Sequence, residues 1–207
     1  MPLQNRVTPQ GDIIATPHRG MFTGNRGIIH DPRTKTLLKR RWTSRAWLTC
    51  VCEFKGRRRD VMGGRSWTEL FFLDEATAFA AGHRPCFLCR RDDANRFRAA
   101  WEEGNGVSDV RADDIDRVLH RERLEGTKKR LHRLPLPLFE LPDGAMVAAG
   151  GESFLIAKGR ALMWSPAGYR AADKAPRDAM LLTPPSTLRA IIAGYRPVLH
   201  PGVSPVS

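Results

Sequence analysis

Three observations predict an α+β fold built of small antiparallel meanders with short helices. Two sets of short strand-like runs, at residues 47–54, 59–62 and 67–72 and again at 145–148, 153–157 and 161–164, are broken by glycine-rich turns. Each set leads into a run with a helix start and a glycine stop. Two further helical patterns lie between the sets. With 207 residues, 42% hydrophobic, the chain has enough apolar material for a core, as one domain or as two small ones.

Residues 1–45 are expected to be a basic N-terminal arm. Residues 1–20 hold three prolines and no hydrophobic period, which predicts a loop or an extended surface segment. Gly20, Gly24 and Gly27 then punctuate Met21-Phe22 and Ile28-Ile29. Glycines around Asn25-Arg26 either make tight turns or let backbone approach a phosphate. His30-Asp31 is a fragment of what a metal-dependent nuclease uses, without a complete catalytic set around it.

Residues 46–104 read as a metal-binding half. Its three strands are joined by Lys55-Gly56-Arg57 and Gly63-Gly64-Arg65, a basic meander. Arginines at the hairpin tips offer cations for phosphates, and Trp42, Trp47 and Trp67 offer rings for base stacking or for a core. From Leu70 the chain runs through an apolar strand end, then Asp74 as N-cap with Glu75 behind it, then an alanine-rich helix stopped at Gly82 and Pro85. Cys86-Phe87-Leu88-Cys89 follows and opens a second helix, residues 90–103, with Ala94, Phe97 and Trp101 on the side expected to pack on the strands.

A Cys-x-x-Cys at a helix start is half of a soft tetrahedral metal site, with Zn2+ the usual occupant. The only other cysteines, Cys50 and Cys52, lie two apart on a predicted strand, where alternate side chains share a face. Cys50, Cys52, Cys86 and Cys89 are therefore the candidate ligands of one four-thiolate site. Cys50 and Cys52 as small buried hydrophobes of the core are the alternative. A disulfide finds no support, since the chain shows no secretory signal and reads as cytoplasmic, with no run long enough to span a membrane.

Residues 105–138 hold a predicted helix at 111–124, with Ile115, Val118 and Leu119 inward and acids in its first turns, and then a basic linker carrying Lys128-Lys129-Arg130, His132 and Arg133. Residues 139–207 are expected to be a pseudo-repeat without metal. Residues 180–197 echo residues 70–85, with Thr183 as N-cap and Gly194 in the role of Gly82, and with Val198 and Pro201 where the thiols stand in the first copy.

The run Ala80-Ala81-Gly82-His83-Arg84-Pro85-Cys86-Phe87-Leu88-Cys89-Arg90-Arg91-Asp92, within residues 71–95, resembles the second half of the zinc-binding domain of Ada-type DNA alkylation-repair proteins. That resemblance implies zinc, contact with DNA, and a cysteine of the other pair that accepts a methyl group from a phosphotriester. This chain departs from the family there, with Cys50-Val51-Cys52 in place of a Cys-x-x-x-Cys in an Arg-Pro context. The whole chain also resembles a group of uncharacterised bacterial proteins that share Gly24-Asn25-Arg26-Gly27, His30-Asp31 and Gly194-Tyr195-Arg196-Pro197, which implies no activity.

The formal net charge is +12, and its distribution is uneven: residues 1–65 carry 14 Lys/Arg against 4 Asp/Glu, and the remainder 20 against 18. A polyanion is the expected partner, nucleic acid ahead of a membrane surface and DNA ahead of RNA. Arg26, Lys39, Arg40, Arg41, Lys55, Arg57, Arg58, Arg59 and Arg65 are the candidate contacts. Three functions follow from the sequence: a non-catalytic zinc protein that binds DNA, an alkyl-accepting repair or sensor protein using a zinc thiolate at Cys50 or Cys52, and a nuclease using His30 and Asp31.

Overall fold

A computed structural model describes residues 1–56 and 60–203. In chain order the elements are β1 (Gln4–Val7), β2 (Ile13–Ala15), β3 (Phe22–Asn25), β4 (His30–Asp31), β5 (Thr36–Leu37), β6 (Leu48–Val51), β7 (Leu70–Phe72), α1 (Glu75–Ala80), β8 (Arg84–Pro85), α2 (Arg91–Asn105), α3 (Ala112–Arg123), β9 (Leu124–Glu125), β10 (Lys128–Lys129), β11 (Met146–Ala149), β12 (Glu152–Ala157), β13 (Arg160–Ser165), β14 (Gly168–Ala171), β15 (Met180–Leu181) and α4 (Pro185–Ile192). The fold is α+β, and most strand pairs are antiparallel.

The N-terminal segment is not an arm. β1 and β2 form a hairpin at one edge of a six-stranded sheet of order β2-β1-β7-β3-β6-β8, and β3 lies in its interior. Nor is the expected meander present: β6 and β7 do not pair with each other, because β3 runs antiparallel between them. Residue 60 is irregular and residues 61–63 are turn, and the rest of that predicted strand, Arg59, lies outside the described residues. Two pairings, β1 with β7 and β6 with β8, are parallel. Gly24 makes the insertion of β3 feasible, since a Cβ there would meet the Leu48 carbonyl oxygen at 2.0 Å and Phe72 Cε2 at 2.9 Å. Gly24 therefore serves strand packing rather than a phosphate. Gly27, at φ +89°, does bend the chain, and a Cβ there would meet Thr43 Oγ1 at 2.0 Å.

The second sheet, β14-β13-β12-β11-β15, follows the predicted C-terminal meander closely, with β14 and β15 as additional edges. α1 is buried along its whole length and serves three neighbours at once. Ala78 and Ala81 pack on the first sheet with Leu70 and Phe72; Ala76 and Ala80 meet Met146, Leu155 and Leu182 of the second; Phe79 enters a helical core with Phe97, Trp101, Ile115, Leu119 and Ile191. Alanine permits this, because a larger side chain on either face would hold the sheets apart. α2 thus packs chiefly on α4, shares this core with α3, and of the strands meets β8.

The predicted echo between residues 70–85 and 180–197 is real at the helix ends. α1 closes with Gly82 N–H to Phe79 O at 2.8 Å and His83 N–H to Ala78 O at 2.9 Å. α4 closes with Gly194 N–H to Ile191 O at 3.1 Å and Tyr195 N–H to Ala190 O at 3.0 Å, the same Schellman pattern, and both glycines have positive φ. The starts differ. Asp74 accepts from Thr77 N–H at 2.8 Å as expected, whereas the Thr183 hydroxyl accepts from Met146 N–H, and the Glu122 carboxylate of α3 takes the Ser186 N–H of α4 at 3.0 Å. An acid from a neighbouring helix does there what the local cap does in the first copy.

Candidate functional site

The helix stop at Gly82 sends the chain alongside β6, where β8 pairs in parallel with Leu48 and Thr49. Cys86 N–H donates to Thr49 O at 3.0 Å, so the start of the Cys-x-x-Cys turn is fastened to the strand that carries Cys50. Arg90 N–H donates to Cys86 O at 3.0 Å and closes the turn, and Leu88 N–H points at Cys86 Sγ at 3.4 Å. Cys50, Cys86 and Cys89 consequently converge, their sulfurs within 4.8 Å of one another.

Three thiols at this spacing can hold a metal ion. A tetrahedral ion with metal–sulfur bonds of about 2.3 Å sets its ligands ~3.8 Å apart, within the range the cluster presents. The neighbouring thiols of Cys50 and Cys89 lower Cys86 below an ordinary thiol, while Cys86, Cys89 and burial push Cys50 up.

Cys52 is not with them. β6 ends at Val51, so the alternation that would have placed Cys52 beside Cys50 has lapsed by one residue. Its thiol faces the Met21 carbonyl oxygen at 3.4 Å and is exposed. Among the described residues the cluster therefore has three sulfurs rather than four, on one side of a cleft of about 950 Å³ that is also lined by Cys52, Arg19, Glu53, Glu69, Trp67 and Leu88. Leu88, at the tip of the turn, is 71% exposed.

The candidate polyanion contacts separate into three groups. Lys39, Arg40, Arg41, Lys55 and Arg65 are exposed. Arg57, Arg58 and Arg59 lie outside the described residues. Arg26 is 2% exposed and so does not belong to a surface patch. Of the tryptophans offered for base stacking, Trp47 is 2% exposed, with the guanidinium carbons of Arg26 and Arg123 each 4.0 Å from its ring centroid. Trp42 and Trp67 remain half-buried.

His30 is buried, its Nδ1 2.6 Å from Thr68 Oγ1, and the Asp31 carboxylate accepts from Arg33 N–H. Among the described residues no set of metal-ligating side chains gathers around either. His200 Nδ1 accepts from Gly202 N–H, away from the thiols. Residues that sequence patterns did not mark include Thr49 and Arg90, which fasten β6 to the turn, and Arg123, which reaches the first sheet from α3. Only the placement of Arg90 directly after Cys89 could have drawn notice. No described helix is long and apolar enough to cross a membrane.

The chain matches no family model, no curated protein and no solved structure.

Proposed function

We propose that this is a zinc-containing protein that binds nucleic acid, DNA in preference to RNA. The observation that carries the proposal is the surplus of positive charge in residues 1–65, the segment that supplies Cys50 to the three-thiol cluster. Lys39, Arg40, Arg41, Lys55 and Arg65 belong to that surplus, are exposed, and form no ion pair among the described residues. Unpaired cations on one segment suit a polyanion, and the resemblance of residues 71–95 to an Ada-type zinc domain points the same way. Zinc suits a donor set of thiolates alone.

The test is fluorescence anisotropy on a labelled duplex of arbitrary sequence between 50 and 200 mM salt. Five phosphate contacts give a slope of log Kobs against log salt of about −4.5, and the triple variant Lys39→Ala, Arg40→Ala, Arg41→Ala reduces it by about 2.7. No binding at 50 mM salt, or binding indifferent to salt, would sink the reading.

A second reading draws on one observation, that the three clustered thiols and the separate thiol of Cys52 all line one open cleft. A thiolate there can accept an alkyl group: the sulfur forms a bond to the methyl carbon of a DNA methyl phosphotriester, the carbon–oxygen bond breaks, and its electron pair leaves on the phosphate oxygen, giving a thioether and a phosphodiester anion. Zinc, when bound, keeps the sulfur deprotonated. Incubation with methylated DNA and mass spectrometry of cysteine peptides tests this; methylation of Cys50 or Cys52 supports it, and no adduct on any cysteine removes it.

A further inference from the structure

On the far side of the first sheet from the thiols lies a second cleft, of about 360 Å³. Side chains alternate along a strand, so Leu48 and Cys50 face the first cleft while Trp47 faces the second. Its floor is Trp47 between two buried arginines. Arg26 is 2% exposed and Arg123 is 1% exposed. Arg26 Nη1 donates to Gly11 O at 3.0 Å and its Nε to His83 Nε2 at 3.3 Å. Arg123 donates to Gly82 O at 3.0 Å and to Arg45 O at 2.7 Å, with His120 Nδ1 at 2.9 Å. Lys129 on the rim gives its ammonium to Ala80 O.

Every one of these partners is neutral. Asp116 is committed to Arg84 at 2.6 Å and Glu122 to Ser186, which leaves Asp12 as the carboxylate lining the cleft, with no ion pair among the described residues. Among the described residues Arg26 Nη2 and Arg123 Nε have no hydrogen-bond partner. A buried guanidinium without a carboxylate and with an idle donor is costly, and proteins keep such groups where an anion completes them. Burial lowers Arg26 to about 9, against the attraction of Asp12 and with the repulsion of Arg41; burial and then Arg26 lower Arg123 to about 9; burial and then both arginines lower Lys129 to about 7.

We propose that this cleft binds the phosphate group of a small molecule, with Arg26 Nη2 as the innermost donor and Arg123, Lys128 and Lys129 around it. Guanidinium forks match phosphate geometry, and lysines supply point charge. The volume accommodates a mononucleotide, and Trp42, half-buried on the wall beside His120, presents a ring on which a base can stack. The site stands on different residues from the thiol cluster and holds whether or not the protein binds metal or DNA.

Isothermal calorimetry on the full chain, with inorganic phosphate in one series and adenosine 5′-monophosphate in the other, tests it. Saturable binding of both identifies a phosphate site, and an affinity about tenfold higher for the nucleotide places the base on Trp42. Equal affinities assign the site to the phosphate group alone. No heat with either at millimolar concentration overturns the proposal. Arg26→Met and Lys129→Met are each expected to weaken binding at least tenfold. Should Arg26→Met fail to fold, the half-buried Lys129 still decides, and affinity unchanged in folded Lys129→Met overturns this location.

Discussion

The Arg90 guanidinium lies 2.7 Å from the Glu75 carboxylate, with both side chains no more than 1% exposed. Arg90 follows the second cysteine of the turn, and Glu75 opens the central helix. The same arginine donates to Thr49 Oγ1 at 3.1 Å and covers the Phe22 ring at 4.4 Å, while the glutamate accepts from the Tyr195 hydroxyl and the Val198 N–H, each at 2.9 Å. One ion pair thus joins the strand bearing Cys50, the turn bearing Cys86 and Cys89, and the C-terminal segment. Burial pushes the Glu75 carboxyl up, and Arg90 opposes that rise.

Breaking this pair on one side strands a buried charge. Arg90→Met is expected to lower stability by about 3–5 kcal/mol, read from the midpoint of urea unfolding, and the double variant Glu75→Gln, Arg90→Met to recover part of that loss. A single variant costing under ~1 kcal/mol would show that the pair is not coupled to the core.

Metal stoichiometry distinguishes three ligands from four. Elemental analysis is expected to find one zinc per chain in the wild type and in Cys52→Ser, and none in Cys50→Ser, Cys86→Ser or Cys89→Ser. Loss of metal in Cys52→Ser would mean that Cys52 leaves the Met21 carbonyl to join the cluster. Chelation of the wild type is expected to lower its thermal midpoint, because binding energy at such a site is folding energy.

What the sequence discloses here is what neighbours along the chain decide. Asp74 as cap, Gly82 as left-handed stop and the Cys-x-x-Cys turn are all settled within a few residues, and each is legible. The Gly194 stop was readable for the same reason. The position of β3 between β6 and β7 depends on pairing across dozens of residues, and nothing local announces it. Cys52 turned on where a strand ends, which shifts by one or two residues with tertiary context. Arg26 misled because arginine is ordinarily a surface residue, whereas Trp47 took the core position that its sequence also offered, covered from α3 by Arg123.

Gly24 offers a direct check on the inserted strand. Its backbone is not in the left-handed region, so any penalty from Gly24→Ala reflects space alone, and the added Cβ would fall 2.0 Å from a carbonyl oxygen in the neighbouring strand. Backbone cannot give way as a side-chain tip does, and a loss of about 3 kcal/mol or more is expected, against at most ~1 kcal/mol for Gly64→Ala in an exposed bend, where the added Cβ would meet Ser66 Oγ at an ordinary 4.0 Å. Comparable midpoints for the two variants would contradict the strand order.

Lys129 links the second cleft to pH. Arg26 and Arg123 repel its ammonium, Glu122 attracts it, and burial outweighs all three, so its folded pKa falls to about 7 from an unfolded value near 10.4. Between those values the unfolded chain holds a proton that the folded chain has released. Stability from this group therefore rises with pH across that window, is complete above it, and is lost as pH falls through 7. The urea midpoint of the wild type minus that of Lys129→Met is expected to increase from pH 7 to pH 9.5. Phosphate in the cleft adds the negative charge that Lys129 lacks, raises its folded pKa and flattens that increase. A difference that climbs without phosphate and levels with it ties the titration to the anion site, whereas a difference insensitive to phosphate would place the ligand out of reach of Lys129.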